Sequence, residues 1–103
     1  MDHIQAVIHD KLMRFYDAAK QLLAVRKVLL YGSYAKGTAG RDSDIDVAVV
    51  VEETDHAKRM EITAKLFHFA FRIDPAIEPK CIFWDEYKDH DKASILAEII
   101  DTA

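Results

Sequence analysis

The chain is short of the residues that staple or break a backbone. Its 103 residues include one cysteine, Cys81, so no disulfide can close within it. A lone thiol is consistent with a reducing cytosol and says little else about compartment. Three glycines and two prolines are too few for a collagen-like or low-complexity tract. No repeat and no linker-like stretch divides the sequence, so residues 1–103 read as one domain. No apolar run approaches the roughly 20 residues of a membrane-spanning helix, so no membrane association is expected. Met1 to Asp10 carries acids and histidines where a secretion leader needs an apolar core, which makes a cytoplasmic protein the expectation. Basic residues are not in excess either: 14 Lys and Arg against 18 Asp and Glu leave a net charge of −4. That balance argues against an extended nucleic-acid surface, while leaving room for a small nucleotide held at a local site.

Half of the residues are apolar, enough for one small core. Ile4, Val7, Ile8, Leu12, Phe15, Ala19 and Leu22 recur at helical spacing, predicting an amphipathic helix from Asp2 to about Ala24. Val28 to Tyr31 reads as a short buried strand ending at Gly32. All three glycines fall between Gly32 and Ser43, which marks irregular backbone, with a helical turn possible at Tyr34 to Lys36. Ile45 to Val51 is β-branched and almost uninterrupted, the pattern of a strand covered on both faces. Met60, Ala64, Phe67 and Phe71, with Thr63 and Ala70 beside them, predict a helix over about Thr54 to Phe71, broken by Asp74-Pro75. Ala76 to Phe83 reads as a third strand, and Pro79 inside it points to a sheet edge or a bulge. Ile95, Leu96, Ile99 and Ile100 predict a last helix. The order helix, strand, loop, strand, helix, strand, helix implies an α/β domain of two or three layers around a small sheet. Strand order and direction stay open.

The segment with chemical content is Leu30 to Val51. Asp44 and Asp46 are two positions apart at the start of a strand, so their carboxylates share one face while Ile45 and Val47 face the core. Adjacent carboxylates repel unless a cation lies between them, which suits a hard divalent ion such as Mg²⁺ or Mn²⁺. Upstream, Gly32-Ser33 follows a strand. Glycine allows close approach of a phosphate, and the free amides and the serine hydroxyl can bind its oxygens. Lys36, a helical turn further on, can neutralise the same group. Ser43 is grouped with Gly32, Ser33 and Lys36 as a nucleotide-binding candidate. A phosphate cradle facing a metal site contains the parts needed for in-line phosphoryl or nucleotidyl transfer. Alone, an Asp-x-Asp is more often a solvated strand end; the combination with Gly-Ser is what makes the pattern specific.

Gly32-Ser33-Tyr34-Ala35-Lys36-Gly37 followed by Asp44-Ile45-Asp46-Val47-Ala48-Val49 resembles the nucleotidyltransferase motif of the DNA polymerase β superfamily. The similarity is greatest to its minimal nucleotidyltransferase (MNT) branch and covers nearly the whole chain. The resemblance implies a small mixed sheet flanked by helices, divalent metal, and a nucleoside triphosphate donor, with ATP expected. It also implies a partner: MNT proteins are commonly encoded beside a HEPN-domain protein, for which they act as antitoxins, some by adenylylating it. By position, Gly32 and Ser33 would hold the donor phosphates, and Asp44 and Asp46 the metal. Active members add a third acidic residue from a neighbouring strand, as metal ligand and base. Glu78 is the candidate here, a glutamate where aspartate is commoner, with Asp74 behind it. Glu78 lies inside an apolar run where an unpaired charge would be costly, whereas Asp74 beside Pro75 is explained as a turn residue. Lys36 keeps the charge of the arginine usual near its position but not its bidentate fork.

Three functions compete. The first is transfer of a nucleoside monophosphate, AMP from ATP, to a hydroxyl of a HEPN protein. The second is a small-molecule, antibiotic-type nucleotidyltransferase, although those enzymes carry an added helical acceptor region. The third is a non-catalytic module that neutralises its partner by contact. A stable complex with a second polypeptide is expected, HEPN-type or failing that a homodimer. The five histidines share no metal-ligand spacing and are read as surface residues. Cys81 is read as core, Phe67, Phe69 and Phe71 as core and interface, and Trp84 and Tyr87 as a cap on the sheet. Arg41 is read as a loop charge or a phosphate contact, and Asp85 to Lys92 as a solvated loop or helix start.

Overall fold

The computed structural model of the chain describes residues 3–31, 44–89 and 97–101, with side-chain surroundings given over 6–31 and 44–88. The first element is helix α1, His3–Ala19. Ile8, Leu12, Phe15 and Ala19 form its buried stripe, at the spacing that brings one helical face to a core. The helix ends earlier than its apolar periodicity suggests. Leu22 N–H and Leu23 N–H both return to the Ala19 carbonyl, which turns the chain so that Leu22 is left exposed and β1 can start at Val25.

Strand β1, Val25–Tyr31, and strand β2, Ile45–Val51, pair antiparallel. A short 3₁₀ turn, His56–Lys58, leads into helix α2, Arg59–Ile73. Asp55 caps the turn through a bond from the Ala57 amide to its carboxylate, 3.0 Å. Strand β3, Ile77–Phe83, runs parallel to β2, so β2, α2 and β3 make one crossover unit. The residues Trp84–Asp89 form a short helix, α3, and Ala97–Asp101 forms strand β4, antiparallel to β1. The sheet is mixed, in the order β3-β2-β1-β4. Pro79 lies in edge strand β3, where a missing N–H leaves no second ladder incomplete.

The structure corrects two expectations. Ile99 and Ile100 belong to a strand, not a helix; Ile95 and Leu96 lie outside the described residues. Apolar residues that alternate poorly suit a helix by local pattern, but β1 has an open edge, and backbone pairing with it outweighs the local preference. In α2, the buried stripe is Ile62, Leu66 and Ala70, with Phe69 and Ile73 packed beside it. Met60, Phe67 and Phe71, which periodicity also aligns, are exposed.

The sheet separates two apolar clusters. On one face, α1 and α2 pack against Val28, Ile45, Val47, Val49, Val51, Ile77, Cys81 and Phe83. On the other, Leu29, Ala48 and Val50 are covered by Tyr31, Ile82, Trp84 and Tyr87. This double covering explains the almost unbroken apolar run of β2. The Trp84 and Tyr87 rings stack at 5.6 Å, with the Arg26 guanidinium 3.8 Å from the Trp84 ring centre. They cap the sheet, as their positions predicted. Among the described residues, no helix is long and apolar enough to cross a membrane.

Candidate functional site

Residues alternate sides along each strand, and the register aligns the strands into rows. Asp46 of β2 lies opposite Glu78 of β3 and opposite Tyr31 of β1. Directly opposed residues bring their Cβ atoms to within about 5 Å. Ile45 and Val47 are buried on the helix face, so Asp46 points to the other. Asp44, exposed, sits one position before β2. The next row on that face is Leu29, Ala48 and Lys80. A carboxylate pair, a third carboxyl and a phenol therefore meet at the end of the sheet where β1 stops and β2 begins.

Electrostatics record this proximity. The Glu78 carboxyl is raised above the usual glutamate range, first by the negative charge of Asp44, then by burial and by Asp46. In its protonated form it shares a hydrogen bond with Asp44. The Tyr31 hydroxyl is also raised, first by burial and then by the charges of Asp46 and Glu78. All three carboxyls thus contribute to one region of negative potential.

Asp74 has a different environment. Its Oδ2 accepts from Lys11 Nζ at 2.6 Å and its Oδ1 from the Ala76 amide at 2.9 Å. The Lys11 bond, then the Ala76 amide, hold its carboxyl below the usual range. It is the turn residue expected, tied to α1. Gly32, Ser33, Lys36 and Ser43, together with Arg41 and the turn expected at Tyr34 to Lys36, lie outside the described residues.

The donor set is oxygen only, which matches the preference of a hard divalent cation. Mutual repulsion at Glu78 is the condition such a cation relieves. Among the described residues, however, no group of three His, Cys, Asp or Glu side chains already stands at metal-holding spacing. The charges of Asp44 and Asp46 both act on Glu78, and Asp46 is its register partner. The residues fit a divalent ion in chemistry and in facing, with side-chain movement required to close on it.

Sequence reasoning passed over Tyr31 as a site residue. The available signal was its place immediately before Gly32: in an antiparallel pair, the last residue of one strand meets the first of the next. At the far end of β2 and β3, Arg59 donates to the Cys81 carbonyl at 2.8 Å and to Glu86 at 2.6 Å, and Glu86 accepts from the Phe83 amide at 3.0 Å. This last bond closes the start of α3 as a capping box does. His56 stacks on Phe83 at 4.4 Å and meets Asp85 at 3.0 Å. These contacts orient α3 and lie away from the carboxylates.

Comparison with known proteins gives this geometry a context. Residues 12–101 match the family model for the nucleotidyltransferase domain. A stretch of 40 residues is 48% identical to protein adenylyltransferase MntA of Shewanella oneidensis, covering 38% of this chain and 29% of that protein, so the match spans less than a third of that relative's length. By fold, the chain aligns with a Sulfolobus solfataricus protein classed as a nucleotidyltransferase, with a TM-score of 0.63 and 21% identity over 89% of this chain and 80% of the other. A toxin–antitoxin solved with AMP-PNP aligns with a TM-score of 0.56 and 21% identity, covering 91% of this chain and 73% of the other. A tri-AMPylated HEPN toxin of Shewanella oneidensis in complex with MNT antitoxin gives 0.51 and 17%, covering 95% and 73%. At these identities the structural likeness concerns the fold.

Proposed function

The chain belongs to the nucleotidyltransferase-domain family, and from that premise we propose that it transfers AMP from ATP to a hydroxyl group on a HEPN-type protein partner, acting as its antitoxin. The observation that carries this reading is the row Asp46–Glu78 with Asp44 beside it. The partner class rests on the likeness to an MNT antitoxin in complex with a HEPN toxin, and the choice of adenylyl group on the identity with protein adenylyltransferase MntA.

In the proposed reaction, an acceptor oxygen attacks the α-phosphorus of ATP. The bond from that phosphorus to the bridging oxygen of the leaving pyrophosphate breaks, and the acceptor proton passes to a carboxylate. Glu78, set opposite Asp46 on the neighbouring strand, is the carboxylate proposed to accept it. Asp44 and Asp46, with Glu78, would hold Mg²⁺ or Mn²⁺, which supplies positive charge against the phosphate oxygens. Gly32, Ser33, Lys36 and Ser43 are proposed to hold the triphosphate. Tyr31 borders the carboxylates and keeps its proton at neutral pH, as a raised phenol must.

The test is transfer of labelled AMP to the partner. Glu78→Gln should cut the rate by roughly 10²–10⁴-fold, the range for loss of a general base, while the partner still co-purifies. Asp44→Asn with Asp46→Asn should abolish metal-dependent ATP binding in calorimetry. Wild-type transfer by Glu78→Gln would remove the residue from the reaction. Partner neutralisation without any transfer would favour a contact-only antitoxin, and transfer to a small molecule but not to protein would favour an antibiotic-type enzyme.

A further inference from the structure

Helix α2 is apolar on two sides. One stripe, Ile62, Leu66 and Ala70, is buried against the sheet and α1. At about 100° per residue, Met60, Ala64, Phe67 and Phe71 fall within a narrow arc on the nearly opposite side. Met60 is 84% exposed, Phe71 72% and Phe67 46%. One stripe suffices to dock a helix onto a sheet. A second that presents two phenylalanines and a methionine to solvent marks an interaction surface.

We propose that two copies of this chain associate through the second stripe, with α2 packed antiparallel on its copy about a two-fold axis. The stripe advances by four, three and four residues, a spacing that reads the same from either end. Antiparallel packing therefore sets Met60 against the partner's Phe71 and Ala64 against the partner's Phe67, and each contact occurs twice, as two-fold symmetry requires. Small Ala64, near the axis, allows the helices to approach closely while the two Phe67 rings pack beside it. Charge is complementary in this arrangement. Glu61, His68 and Arg72 share one flank of the stripe, and antiparallel packing brings Glu61 beside the partner's His68 and Arg72, once on each side of the axis. His68 is exposed and also meets Phe69 edge-on within the chain, at 5.9 Å.

The carboxylates lie on the opposite face of the sheet from α2, so this association leaves them open and does not depend on the proposed reaction. Sedimentation of the purified chain over low to high micromolar concentrations should show a species of twice the chain mass. Phe71→Glu and, independently, Met60→Glu should leave a single-chain species with an unchanged far-ultraviolet circular dichroism spectrum, since both side chains are exposed. Glu61→Lys should raise the dimer Kd by about tenfold or more, and adding His68→Glu with Arg72→Glu should restore it. A wild-type chain that stays monomeric throughout, even if a heterologous protein binds this stripe, overturns the proposal. So does a dimer that survives both Phe71→Glu and Met60→Glu, or one indifferent to the charge exchange.

Discussion

Glu78 and Asp74 are both acids at the start of the third strand, and their surroundings drive them in opposite directions. Lys11 and the Ala76 amide stabilise the ionised form of Asp74 and lower its pKa. Asp44 destabilises the ionised form of Glu78 and raises it. The consequences for folding differ in sign. Asp74 contributes stability that is present above its unfolded pKa and is lost as pH falls through the lowered folded value. Ionised Glu78 opposes folding above its raised folded pKa, and that penalty is relieved as pH falls through it. Asp74→Asn should therefore cost about 1 kcal/mol near pH 7, the scale of a partly buried ion pair, and this difference should vanish when both proteins are unfolded by denaturant in strong acid. For Glu78, carboxyl chemical shifts followed by NMR should titrate above the ordinary glutamate range in the wild type and fall back toward it in Asp44→Asn. An unmoved midpoint would separate the two side chains.

Helix α2 shows how an element can satisfy one periodicity and serve another. Two stripes of apolar residues run along it, and helical spacing alone ranks them equally. The buried one is decided by which stripe the crossover from β2 to β3 turns toward the sheet. Leu66→Ala, which empties a fully buried site, should destabilise the fold by 2–5 kcal/mol, about the range seen for such truncations. Phe71→Ala, measured by denaturation at concentrations low enough to keep chains single, should stay within about 0.5 kcal/mol. Comparable losses from both would mean that the exposed stripe belongs to the core. Strand β3 presents the simpler case: Ile77, Pro79, Cys81 and Phe83 point inward while Glu78 and Lys80 are exposed, a period of two that sequence displays directly.

On the scale of the whole molecule, the sheet is a partition. It puts α1 and α2 on one side and the carboxylate row on the other, so substitutions that disturb one side need not reach the other. The same sheet grades local stability. Among the described residues, β1 and β2 are paired along both edges, whereas β3 and β4 are paired along one. Amide hydrogen exchange should be slowest in Val28–Leu30 and Val47–Val50 and faster in β4 and at the ends of β3, because opening an edge strand breaks one ladder only. Exchange in β4 as slow as in β2 would place a further strand or partner against that edge.

The amino-acid sequence by itself determined the local features: the amphipathic first helix, the buried run Ile45–Val51 and the alternation of β3. These follow from periods of 3.6 and 2 that neighbouring residues impose on one another. Pro79 pointed to an edge or a bulge, and β3 lies at the edge of the described sheet. Tertiary structure decided what depends on partners distant in the chain. Register placed Glu78, not Asp74, beside Asp46 and brought Tyr31 into the same row, because backbone pairing between β2 and its two neighbours sets those distances. The open edge of β1 made a strand of Ala97–Asp101, and the packing of α2 chose which apolar stripe to bury. Each of these outcomes is governed by pairing or burial energy shared between segments, which no window of a single segment contains.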